Sequence, residues 1–343
     1  MDLPLIWAVL IAVAVMMYVL LDGFDLGVGV LTSFARNDAE RNLMSASIEP
    51  VWDGNETWLV LGGGGLFAAF PLAYSILMPA FYLPVIVMLA ALIFRGVAFE
   101  FRHKAVRPVT KAFWNGAFSG GSLVAAFAQG VILGAFVQGV AVEGRSYAGG
   151  PLDWLTPFSI LTGVSVVIGY VLLGACWLVL KTEGETRQKA LKWARMAVIG
   201  VALAMAAISL ATLSIDPRVT ARWGVSMSSI DIGAFARVAP VPVVALGLFI
   251  WLWRDLNAKK APDWRPYLLT VGVFLTGYLG LAISLFPYNV PFAKTVWETA
   301  ARDNALLFML IGGGIMLPVI LAYTGYVYSL FWGKVRADEG YHG

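Results

Sequence analysis

The sequence predicts an all-α polytopic membrane protein: nine transmembrane helices, arranged as two four-helix bundles plus one peripheral helix. Composition is the first reason. Of 343 residues, 59% are apolar and 13% charged, with a mean hydropathy of +0.78, whereas soluble domains carry about 25% charge. The second reason is the presence of nine apolar segments, each near the roughly 20 residues that cross about 30 Å of hydrocarbon. The third is an internal echo: Tyr18-Val19-Leu20-Leu21 recurs as Tyr170-Val171-Leu172-Leu173 in the first and fifth segments, as parallel repeats would give.

The segments follow in order. The first, 3–34, has no positively charged region or small-residue cleavage site before it, so it reads as a span and not a signal peptide. The second and third, 53–74 and 78–100, meet where Pro71, Pro79 and Pro84 crowd the junction. Next come 113–139, 154–180, 193–214, 234–253, 266–287 and 304–332. The expected units are a first bundle over 1–140, a second over 141–290, and a ninth helix with its tail over 291–343.

Basic residues fix the expected orientation, because they accumulate in cytoplasmic loops. Of the 24 Lys and Arg, sixteen lie after odd-numbered spans, among them Arg36, Arg102, Lys181, Arg254 and Arg336, and five in the alternate loops. The N-terminus is therefore expected outside and the C-terminus in the cytoplasm. The net charge of +3 comes without a basic block interleaved with aromatics, which excludes a nucleic-acid partner and leaves the lipid bilayer as the surrounding one. The lone Cys176 offers no disulfide framework or metal motif and is expected to pack in a helix interface.

Several charges sit where hydrocarbon should be. Asp22 and Asp25, at i and i+3, share one face of the first span, and an ionised Asp at the bilayer centre costs about 2.5–3.5 kcal/mol. VWDGNETW opens the second span with Asp53 and Glu56, and FRGVAFEFRHK closes the third with Arg95, Glu100 and Lys104. Three helices thus carry carboxylates to one level. Arg95, one turn deeper than Glu100, needs a carboxylate partner among Asp22, Asp25 and Asp53. If these groups meet, they form a proton or ion entry. The alternatives are an interfacial Asp22 and Asp25, an N-cap role for Asp53, and a surface pair of Glu100 with Lys104. The glycine run 62–65 is expected to pack span two closely on a neighbour, and the glycines of DGFDLGVGVL likewise read as packing.

Absent chemistry narrows the choice further. The two histidines, His103 in a loop and His342 near the end, are not placed to ligate haem or metal within a bundle. No nucleotide, nucleophile-elbow or zinc-protease motif has its required context. No catalytic or metal-binding residue is therefore expected in this chain, and it is expected to do no redox chemistry alone.

The stretches DGFDLGVG, VWDGNETWLV with GGGGLFAAFP, and FRGVAFEFRHK resemble subunit II of the cytochrome bd-type quinol oxidases, a family that includes the cyanide-insensitive oxidases. The resemblance implies a heterodimer in the bacterial cytoplasmic membrane. Its partner, subunit I, carries haem b and haem d and oxidises quinol while reducing oxygen to water; subunit II itself binds no haem. It further implies a cytoplasmic proton route through Asp53, Glu100 and Lys104, with Asp22, Asp25, Arg95 and Glu56 as a supporting charge cluster. Glu100 stands where the family often has Asp, and Val51 where some relatives have His. Trp58 matches an aromatic near the lipid-facing mouth of an oxygen path. A structural quinone and small accessory subunits occur in some relatives. The rivals are a stand-alone secondary transporter with a cytoplasmic-side carboxylate site and a pure scaffold for subunit I. Charges gathered at one end, with no unwound mid-membrane motif, weigh against the transporter.

Overall fold

The computed structural model describes residues 1–225 and 230–335, with the backbone alone at His103. Arg336 and His342 lie outside the described residues. Fourteen α-helices, one short 3-10 helix (Thr32–Phe34) and two small hairpins make up the described chain. The first half holds α1 (Leu3–Leu31), α2 (Asp38–Ala46), α3 (Trp52–Ala69), α4 (Pro71–Ala80), α5 (Tyr82–Lys104) and α6 (Pro108–Gln138), then a hairpin of β1 (Val142–Glu143) and β2 (Ser146–Tyr147). The second half holds α7 (Pro157–Lys181), α8 (Gly184–Thr212), α9 (Pro217–Trp223), α10 (Ile232–Val238), α11 (Pro240–Asn257) and α12 (Trp264–Leu285). A second hairpin, β3 (Tyr288–Val290) with β4 (Lys294–Thr295), leads to α13 (Val296–Thr299) and α14 (Asp303–Leu330).

Seven helices are long and apolar enough to cross a membrane, and α10 with α11, bent by 50°, make an eighth such unit. The chain is thus an all-helical polytopic membrane protein. The expected second span, 53–74, is broken. Phe70 leaves the helical region at φ −131, ψ 61, because a residue before proline clashes with the ring in the α conformation, and the chain restarts as α4. The proline cluster therefore marks a separate ten-residue helix, and α5 begins at Tyr82, later than the expected 78. Pro240 likewise lacks the N–H that would continue α10, and the bend falls there. At the other ends the helices outrun the apolar runs: α8 starts at Gly184, not 193, because Glu185, Arg187 and Lys189 remain helical beyond the apolar stretch.

Two charges expected in loops are on helices and buried. Arg102 on α5 donates to Asn42 Oδ1 at 2.6 Å and to Ser45 Oγ, tying α2 to the bundle. Lys181, at the end of α7, donates to the carbonyls of Phe331 and Gly333.

The centre of the molecule is the crossing of α1 and α7. A Cβ on Gly27 would lie 1.8 Å from the Tyr170 carbonyl oxygen, and one on Gly174 would lie 2.5 Å from the Gly27 carbonyl carbon. Only glycine permits this approach, by the small-residue logic of membrane helix pairs. Phe24 stacks on Trp177 with centroids 4.0 Å apart, and Cys176 is buried in the same core. The run 62–65 is split between two faces. Gly62 and Gly65 meet Val15 and Ile11 of α1, whereas Gly63 and Gly64 meet nothing.

Candidate functional site

Ion pairs bring the basic residues of α2, the α5–α6 turn, the α7–α8 turn and the segment after α14 together at one end of the molecule, the basic end. The charged residues expected to converge lie on α1, α3 and α5, toward this end.

Asp22 and Asp25 are both fully buried, so the interfacial alternative does not hold. Arg95 Nη1 donates to Asp22 Oδ1 at 3.2 Å. The close passage of α6 keeps the arginine inside: a Cβ on Gly121 would stand 2.8 Å from Ala91 O and 3.2 Å from Arg95 N. The guanidinium also lies over the Trp52 ring, 5.7 Å from its centroid, a favourable place for a cation. Asp25 does not share the arginine's hydrogen bond. Its Oδ2 accepts from Asn55 Nδ2 at 2.8 Å, and Asn55 Oδ1 accepts from the Tyr328 hydroxyl at 2.9 Å.

Glu56, half-buried one helical position after Asn55, adds a third carboxylate within the field of Arg95. Asp53 is exposed and is felt by Glu56. Acidic groups therefore run from the surface at Asp53, through Glu56, to the buried Asp22 and Asp25. Glu100 and Lys104 lie outside this cluster on exposed positions of α5 and form no ion pair with each other; Lys104 Nζ instead stands 5.9 Å from the Phe101 ring centroid. Trp58 is buried among Met17, Tyr18, Leu21 and Ile320, not set at a lipid-facing surface of this chain.

Chemically, the cluster is short of positive charge. Three carboxylates surround one guanidinium where the dielectric is low, and a bound proton is the smallest change that relieves the excess. Four of its buried polar atoms, Asp22 Oδ2, Asp25 Oδ1, Arg95 Nε and Arg95 Nη2, have no hydrogen-bond partner in the protein. Such atoms cost free energy unless water or a proton reaches them.

The sequence reading missed Asn55, Tyr328 and a second polar contact at the same crossing. Gln129 of α6 donates to the Tyr18 hydroxyl and accepts from the Tyr170 hydroxyl, each at 2.7 Å. Asn55 was findable, since it lies three residues from both Trp52 and Trp58 and so on the inward face, 200° around from Asp53 by helical geometry of about 100° per residue. Tyr328 and Gln129 gave no such signal, because their partners lie on other helices, 273 residues away for Tyr328 and 111 and 41 residues away for Gln129.

Outside the spans, the basic end is laced by ion pairs. Burial of Glu40 opposes its charge, but hydrogen bonds from Lys189 Nζ and Arg36 N, both at 2.7 Å, hold its carboxyl below the usual range. Asp263 behaves alike: burial is outweighed by Arg187 and Lys334, which keep it low.

Residues 3–331 match the family described as cytochrome bd terminal oxidase subunit II. The chain is 29% identical over 368 residues to cytochrome bd-I ubiquinol oxidase subunit 2 of Escherichia coli K12, covering 98% of this chain and 96% of that protein. It is 30% identical over 346 residues to cytochrome bd ubiquinol oxidase subunit 2 of Bacillus subtilis 168, covering 97% of each. Its fold is similar to a chain in the structure of bd oxidase from Geobacillus thermodenitrificans, with a TM-score of 0.73 at 11% identity, covering 96% of this chain and 98% of that one. The chain belongs to the cytochrome bd terminal oxidase subunit II family.

Proposed function

We propose that this chain is the haem-free membrane subunit of a quinol:oxygen oxidoreductase, paired with a haem-bearing subunit I, and that it supplies a proton route from the cytoplasm. The basic end faces the cytoplasm under the positive-inside bias, with the N-terminus outside. The observation that carries the route is the file of acids from exposed Asp53 through Glu56 to Asp22 and Asp25, ending in buried polar atoms without protein partners. Arg95 holds Asp22 in place. Glu100 and Lys104, exposed on this chain alone, extend the route along the face offered to subunit I.

The one cysteine serves packing. Cys176 is sealed in the core with the Thr270 hydroxyl donating to its sulfur at 3.4 Å, and no group of three or more His, Cys, Asp or Glu among the described residues could hold a metal.

The architecture we propose is nine spans in two repeats, over 1–140 and 141–290, followed by the last helix. The span that brings the seven long helices and the bent pair to nine is α3, second in chain order. Its 18 residues cover about 27 Å, and Gly62 and Gly65 lie against the middle of α1. The repeats are supported by two hairpins in corresponding places, β1–β2 after α6 and β3–β4 after α12.

The route is tested with Asp53→Asn and Glu56→Gln in the assembled complex, recording quinol oxidase turnover and the haem spectrum together. Slower turnover with full haem is expected. Full turnover in both variants would falsify the route, and loss of haem would assign these residues to assembly.

A further inference from the structure

The last helix is held unevenly. Along most of its length α14 lies outside the bundle, with Leu306 its one buried residue; near its start Trp7 Nε1 donates to Leu306 O at 3.0 Å. Beyond its end the chain is fastened repeatedly to α7. Besides the Lys181 contacts described above, Lys334 Nζ donates to Val179 O at 3.0 Å, Thr182 O at 3.1 Å and Asp263 Oδ2 at 2.6 Å. Val335 N donates to Lys181 O at 2.8 Å. Ammonium groups there meet carbonyls that a helix C-terminus leaves unpaired, where its dipole favours cations.

Tyr328 stands between this strap and the bundle interior. An amide offers an acceptor on one side and a donor on the other. With the Tyr328 hydroxyl donating to Oδ1, Asn55 must turn Nδ2 toward Asp25 Oδ2. A flipped amide would set oxygen against oxygen. Asp25 Oδ1 is left buried with no protein partner.

We propose that Tyr328 is a positioning residue for Asp25: acting through Asn55 it occupies Oδ2, leaving Oδ1 as the atom that takes up and releases a proton, while the 331–335 strap holds the tyrosine in register. The inference rests on the proton route above and adds the last helix to it as a support.

The experiment uses the assembled complex with Tyr328→Phe, Asp25→Asn and the double variant, measuring kcat, KM for quinol and the haem spectrum. Tyr328→Phe keeps the ring and removes only the donor, so haem content and KM should match the parent while kcat falls about three- to tenfold, the scale of one hydrogen bond. Asp25→Asn should lower kcat further, and Tyr328→Phe should then add nothing in its background. A Lys334→Gln complex should show a smaller loss of the same kind. Unchanged kcat in Tyr328→Phe beside a slow Asp25→Asn overturns the positioning role alone. The same role is overturned if the two losses multiply in the double variant or if haem is lost with the hydroxyl. Full turnover in Asp25→Asn removes this aspartate from the route, and the positioning role falls with it.

Discussion

Arg95 Nη1 meets Asp22 Oδ1 at 3.2 Å with the two side chains 1% and 0% exposed. Both charges have left water, and desolvation largely offsets their attraction. What the pair gains is mutual dependence. Removing one partner strands the other, at about 3–5 kcal/mol, whereas removing both is far cheaper. Arg95→Met is therefore expected to lower the thermal midpoint of the purified complex sharply, and Asp22→Leu with Arg95→Met to recover only part of the loss. Recovery stays partial because Asp25 and Glu56 would still lack their cation. Full recovery in the double variant would show that neither depends on the arginine.

Much of this was legible from residue type and spacing. Two aspartates three residues apart in a hydrophobic run share a face whatever lies around them, and a deep arginine needs a carboxylate, so a partner for Arg95 among Asp22, Asp25 and Asp53 followed from helical geometry and the expense of buried charge; that it is Asp22 is set by the packing of α1 on α5. Burial direction was less legible. Asp53 and Asn55 are two residues apart, and the more acidic one drew attention although the amide is the one that faces inward. Helix ends were read from hydropathy, which cannot see that Glu185 to Lys192 stay helical outside an apolar run. The break before Pro71 split the second span for a local steric reason that hydropathy averaging conceals. Long-range partners such as Tyr328 and Gln129 depend on packing across the whole chain and leave no local mark.

Acid should loosen the strap at the basic end. Asp263 accepts from Arg187 Nη2 at 2.5 Å and from Lys334 Nζ at 2.6 Å, and its carboxyl is held below the ordinary carboxylate range. A group whose folded value is depressed stabilises the fold at every pH above its unfolded value of about 3.9, and that contribution disappears as pH falls through the folded value. Protection of the 331–335 amides against hydrogen exchange should accordingly be flat from neutral pH to about 4, after correction for intrinsic exchange, and fall below that. Asp263→Asn should abolish the step and lower protection already at neutral pH, by about 1 kcal/mol or less because these groups are partly exposed. Unchanged neutral-pH protection in that variant would mean that the ion pairs do not hold the strap.

Gln129 joins the two tyrosines of the internal echo, Tyr18 from α1 and Tyr170 from α7, at a level where both rings are buried. Neither hydroxyl can turn to water. Gln129→Leu should remove this partner from both; Tyr18 keeps its interaction with Asp22, but the buried Tyr170 hydroxyl is orphaned at a cost of about 1–3 kcal/mol, so the thermal midpoint should fall more than for an ordinary polar-to-apolar change on the surface. Adding Tyr18→Phe and Tyr170→Phe to Gln129→Leu removes the stranded groups, and most of the loss should return, since an apolar set of similar shape leaves nothing unpaired. The triple variant also separates stability from proton traffic. Tyr18 lies one turn from Asp22 and interacts with its carboxylate, so if stability recovers while turnover stays low, the Tyr18 hydroxyl supports Asp22 chemically. If stability and turnover recover together, the Gln129 bridge serves only to join the two helices.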